Sequence, residues 1–182
     1  MSKTSEPLLT LEPLLEAVRE GVSNAGWELS GLQKTTSHQF QGLWDGQNSR
    51  SAYLFFHNDR MPDFVSVDVF LDETTKGLRG SLALVVEGPD LSELGGMTDL
   101  LASLVRVSAD CMPEGYRAPI TVRLRMEGPD TVPDAASSEV RLKLHIPAKA
   151  LKAGAASVSA LASSAVAATC VCALGLRSAP RR

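Results

Sequence analysis

Residues Phe64 to Asp90 alternate apolar and polar side chains in the way that a pair of half-buried strands requires. Val65, Val67, Val69 and Leu71 fall on one side of a pleat and Ser66 and Asp68 on the other, because successive side chains of a strand point to opposite faces. A turn at Thr74 to Gly77 reverses the chain, Leu82, Leu84 and Val86 continue the apolar side, and Glu87-Gly88-Pro89-Asp90 ends the second strand. The same syntax returns at Ile120 to Glu127, which stops in Glu127-Gly128-Pro129-Asp130 and finds its partner in Val140 to Ile146. A helical pattern follows each hairpin, so the repeated unit is strand, strand, helix. The two Glu-Gly-Pro-Asp turns read as punctuation rather than as cation sites: Gly supplies an unusual backbone angle, Pro bars further strand, and Asp90 caps a helix.

The flanking segments complete the outline. Leu8, Leu11, Leu14, Leu15, Val18, Val22 and Ala25 recur three or four apart and predict a helix over 8–25, capped by Thr10 or Ser5 and stopped at Gly26. Trp27 to Thr36 reads as a short strand. His38, Phe40, Gly42 and Trp44 alternate up to an Asp45-Gly46 turn, which predicts a hairpin over 37–57 with Ala52 to His57 as the second strand. In that strand Tyr53, Leu54, Phe55 and Phe56 are apolar on both sides of the pleat, so it is expected to be covered on both faces or to sit in an interface. Asp90 and Glu93 form a capping box for a helix over 90–111, and Pro147 opens another over 148–175. In this last helix Leu151, Val158, Leu161, Ala165, Ala168 and Cys172 make a narrow seam of small side chains suited to close approach by a sheet or helix.

The fold class is therefore α+β. We expect a single domain over 8–176, with an antiparallel sheet of about five to seven strands packed on about three helices in the order α-β-β-β-β-α-β-β-α. Residues 1–7 are expected to form a flexible N-terminus and 177–182 a basic tail. The order of elements is similar in outline to that of small bacterial secretion-chaperone-like folds, which run helix, three strands, helix, two strands, helix; the additional strand at Leu78 to Val86 departs from that pattern.

Charge narrows the partners. Residues 1–147 hold 21 acidic and 13 basic side chains, a balance of −8, whereas Lys149, Lys152, Arg177, Arg181 and Arg182 face no acid. An acidic body argues against nucleic acid, whose binding relies on a basic face and counterion release. Met1 to Pro7 is polar and lacks the apolar run of a secretory signal, and three cysteines, Cys111, Cys170 and Cys172, are too few and too odd for a disulfide framework, so a cytoplasmic protein with free thiols is expected. Ala153 to Leu176 is uncharged for 24 residues, long enough at ~1.5 Å per residue to cross a bilayer. Yet it holds nine Ala and four Ser against three Leu and three Val, which argues against a tail anchor.

No nucleophile elbow, phosphate-binding glycine loop or metal-spaced His/Cys set is legible, so no catalytic, cofactor-binding or metal-binding residue is assigned. Cys170 and Cys172 would project about 200° apart around a helix and cannot easily share a metal. The expected function is non-catalytic protein interaction, as an adaptor, chaperone-like or assembly component that binds a protein partner or a second copy of itself. Its contact residues are taken to be Tyr53, Phe55 and Phe56 of the aromatic strand, Arg123, Arg125, Arg141 and Lys143 on the basic side of the last hairpin, and Ala165 of the last helix. The basic side is suited to an acidic partner segment. The alternative is a small-ligand binder or enzyme with a pocket between sheet and helices lined by His57, Trp44, Tyr53 or Asp68.

Overall fold

A computed structural model describes residues 10–36, 50–61, 63–74, 76–87, 116, 120–125 and 139–177. Among them six strands form one antiparallel sheet: β1 (Glu28–Thr36), β2 (Arg50–His57), β3 (Val65–Thr74), β4 (Gly77–Glu87), β5 (Ile120–Arg125) and β6 (Glu139–His145), in the spatial order β1-β2-β3-β4-β6-β5. Helix α1 (Leu11–Asn24) precedes them, and α2 (Ala148–Ala153) and α3 (Ala155–Arg177) follow. The molecule is thus an α+β domain whose described elements run α-β-β-β-β-β-β-α-α.

The register realises the alternation in the sequence. Leu54 pairs with Val69 and Phe56 with Val67, Val69 pairs with Leu82 and Val67 with Leu84, and across β4 Leu82 and Leu84 pair with Leu144 and Leu142, so one face of four adjacent strands is continuously apolar. Helix α1 buries Leu14, Val18 and Val22 in the core cluster with that face, and α3 adds Val158, Ala162 and Val166. The closest approach of α1 and α3 falls at small residues, Ser159 and Ala162, that are not part of the expected seam. A methyl group added at Gly21 of α1 would lie 2.3 Å from the Ser159 backbone carbonyl and 2.8 Å from the Ala162 Cβ, so the two helices touch backbone to backbone.

At the end of the core face, Arg50 of β2 ties three elements together. Its guanidinium donates to Glu12 of α1 at 2.5 and 3.2 Å and to Glu73 of β3, from Nε at 2.8 Å and also from a terminal nitrogen. The hydrogen bonds to Glu73 come first in raising the Arg50 pKa above its ordinary value.

Three expectations are corrected. The last helix is two helices, broken at Gly154, whose φ of 95° and ψ of −175° lie in a region that only glycine occupies readily. The edge partner of β2 is the nine-residue β1, with β3 on its other side, rather than a strand formed by residues 38–44. β2 is not covered on both faces, the first of its two expected alternatives: Ala52, Leu54 and Phe56 are in the core, while Tyr53 and Phe55 are each 39% exposed. The expected helix over 90–111, the stretch 38–44, the N-terminal segment 1–7, residues 88–90 and 126–130 of the two turns, the three cysteine side chains and residues 178–182 lie outside the described residues. Among the described residues no helix is long and apolar enough to cross a membrane.

Candidate protein-interaction face

The face of the sheet opposite α1 and α3 collects most of the residues that the sequence singles out. Pairing places Phe55, Asp68, Ala83, Lys143 and Thr121 in one row across β2, β3, β4, β6 and β5. A neighbouring row holds Tyr53, Phe70, Ser81 and His145, and another holds Ser66, Val85, Arg141 and Arg123. Aromatic side chains therefore occupy the β2–β3 end of the face and cations the β6–β5 end.

At the aromatic end the Tyr53 and Phe70 rings lie 4.8 Å apart, tilted by 41°. Phe55 leans over Gly31 of β1, where an added Cβ would come within 3.3 Å of the ring, so the absence of a side chain at Gly31 leaves the phenyl group its place. A register shift between Leu29 and Gly31 accompanies this contact, and the Ser30 hydroxyl donates to the Phe55 carbonyl at 3.0 Å. Leu32, 45% exposed, sits on β1 beside this cluster but in register with the core residue Leu54, on the other face.

At the cationic end Arg123 and Arg141 stand directly opposite each other, an unfavourable juxtaposition of like charges. Arg141 is drawn away from it. Its Nε donates to Glu139 at 2.5 Å, and its Nη1 reaches Asp68 at 2.9 Å. Asp68 belongs to β3, so the Arg141 arm crosses β4, where Ala83 and Val85 are buried. The hydrogen bonds to Glu139 are the chief cause of a raised Arg141 pKa, with the Asp68 charge adding to them against the opposing effect of burial. Asp68 and Glu139 thus neutralise Arg141. Exposed Arg123 and half-buried Lys143 have no ion pair among the described residues. Beside them the Tyr116 hydroxyl donates to the His145 carbonyl at 2.7 Å, and burial pushes its pKa up.

Of the eight contact residues expected from sequence, Tyr53, Phe55, Arg123, Arg125, Arg141 and Lys143 share this face. Phe56 and Ala165 do not. Each is 1% exposed, Phe56 in the core beneath the sheet and Ala165 in α3. Two residues missed at the sequence level belong to the face: Phe70, legible from its place in the Ser66–Asp68 alternation, and Glu139, whose role depends on a side-chain contact that periodicity does not reveal. Of the residues considered for a pocket, Trp44 lies outside the described residues, while His57, Tyr53 and Asp68 lie on the face opposite the described helices, not between helices and sheet. His57 is exposed there, 3.6 Å from Asp59 and 3.9 Å from Glu28. What the face supplies is aromatic contact area and charge.

No family model, curated protein or solved structure matches the chain.

Proposed function

We propose that the protein is a non-catalytic interaction component, an adaptor or chaperone-like protein of the cytoplasm, that binds a protein partner or a second copy of itself through the outer face of its sheet. The observation that carries this reading is the half-exposed pair Tyr53 and Phe55, standing on rigid strand backbone beside Phe70. Aromatic side chains lose little conformational entropy on docking and dominate the energetics of interfaces, where a central one is commonly worth 2 kcal/mol or more. Their placement on a strand between two others, rather than on a loop, supports a preorganised contact.

The test is native mass spectrometry of the full-length protein purified gently from its own host, beside a Tyr53→Ser/Phe55→Ser variant. The expected result is a defined oligomer or a second polypeptide with the wild type and its loss with the variant. Removing one central aromatic corresponds to at least roughly a 30-fold weaker Kd. Thermal unfolding should move little, since both side chains are half exposed already. An assembly that survives in a folded variant, or a wild-type monomer carrying only a small-molecule adduct, would refute the reading.

A further inference from the structure

The described sheet ends at two edges, β1 and β5, and they differ. β1 carries the register shift between Leu29 and Gly31, and an irregularity of this kind turns an edge away from further pairing. β5 pairs with β6 in an unbroken register from Ile120 to Arg125, holds no proline, and among the described residues has β6 as its one neighbour. Its two faces are chemically distinct. On the core face the apolar rows of the sheet run out at the edge: Ile120 and Val122 are only partly buried, whereas their partners Leu144 and Leu142 on β6 are each 1% exposed. On the outer face Arg123 is exposed with no ion pair among the described residues, and the short, exposed Thr121 stands opposite Lys143. A lysine side chain is long enough to cover the roughly 4.8 Å between strands, which brings the Lys143 ammonium within reach of the edge over Thr121.

An added strand completes both faces. Its backbone bonds the outer edge of β5, and its alternate side chains, pointing to opposite faces, meet an apolar row and a cationic row in turn. We infer that the β5 edge takes an extended protein segment in which acidic and apolar residues alternate, with apolar side chains beside Ile120 and Val122 and carboxylates beside Thr121 and Arg123, where Lys143 and Arg123 face them. A second copy does not fit there through the same edge. Pairing β5 with β5 crowds Arg123, Arg125 and Lys143 of each chain against their counterparts, and like charges opposed across strands are destabilising. The segment lies along the edge and crosses no other strand, so the Arg141 arm over β4 and the buried Ala83 and Val85 do not obstruct it. This surface goes beyond the aromatic pair on β2, from which β3, β4 and β6 divide it.

The experiment measures binding of a fluorescent synthetic peptide in which Glu and Val alternate to the full-length chain, beside a peptide of the same composition with its Glu and Val residues in separate blocks. Wild type is expected to bind the alternating peptide at least about tenfold more tightly than the blocked one. Arg123→Glu is expected to weaken that binding about tenfold. Lys34→Glu, the same change of charge at an exposed position of β1, is expected to leave it unchanged. Both variants are checked for wild-type thermal unfolding. N-methylation of every second peptide amide should abolish binding in one alternation and spare it in the other, because only one set of N–H groups faces β5. The methylated peptides decide the matter on the wild-type chain alone. No binding, equal binding of the two peptides, equal binding to wild type and folded Arg123→Glu, an equal loss with Lys34→Glu, or indifference to N-methylation overturns the inference. So does a single-stranded oligonucleotide that binds wild type more tightly than the alternating peptide does.

Discussion

Gly21 is the residue at which α1 and α3 leave no room for a side chain. An added Cβ meets a backbone carbonyl within α3, so no rotamer change relieves the clash and the helices themselves must move apart. Overpacking of this kind costs typically 1–3 kcal/mol, whereas alanine in place of glycine in a helix returns about 1 kcal/mol of propensity. Gly21→Ala is therefore expected to lower stability by up to about 2 kcal/mol, read as an earlier urea midpoint, and Gly21→Val by more. No change in the midpoint would mean that the helices can separate freely. Nothing in the sequence marks Gly21 as a contact. It lies within an amphipathic repeat, and its partner segment is some 140 residues away in the chain.

Among the elements, the position of α1 over the sheet depends on the Glu12–Arg50–Glu73 clasp as well as on apolar packing. The Glu12 carboxyl is held below its ordinary pKa chiefly by the hydrogen bond from its own backbone N–H, opposed next by burial, with the charge and hydrogen bond of Arg50 adding to the lowering. A carboxyl with a lowered folded pKa contributes stability that is present above its unfolded pKa and lost as pH falls through the folded value. Wild type is thus expected to exceed Glu12→Gln in urea midpoint at neutral pH, by well under about 1 kcal/mol because the pair is exposed. The difference should vanish once pH falls below the lowered folded value. Denaturation series at neutral and acidic pH decide this, and a difference that persists or grows in acid would contradict it. Element boundaries were legible in part. The stripe of α1 and the alternation of β3 and β4 are local patterns and read directly, but the break at Gly154 was not legible, because a single glycine among good helix formers is tolerated within a helix and does not by itself mark an end.

For the molecule as a whole, the order β1-β2-β3-β4-β6-β5 puts β3 and β4 at the centre of the sheet and β1 and β5 at its described edges. Central strands bond on both sides and lie beneath the helices. Amide exchange followed by NMR should therefore be slowest at Val67, Val69, Leu82 and Leu84 and faster along β1 and β5, since edge strands open at lower free energy. Uniform protection across all six strands would instead mean that the sheet opens only as a unit.

Local periodicity determined the α+β class, the apolar sides of β3, β4 and β6, and the grouping of Arg123, Arg141 and Lys143 on one side of a hairpin, because each depends on residues within a few positions of one another. The tertiary structure decided what lies beside what. It brought Tyr53 and Phe55 onto the same face as those cations, sent Phe56 and Ala165 into the interior, and let Asp68 and Glu139 neutralise Arg141. Strand order and side-chain reach follow from how the whole chain packs, and a two-residue period carries no information about either.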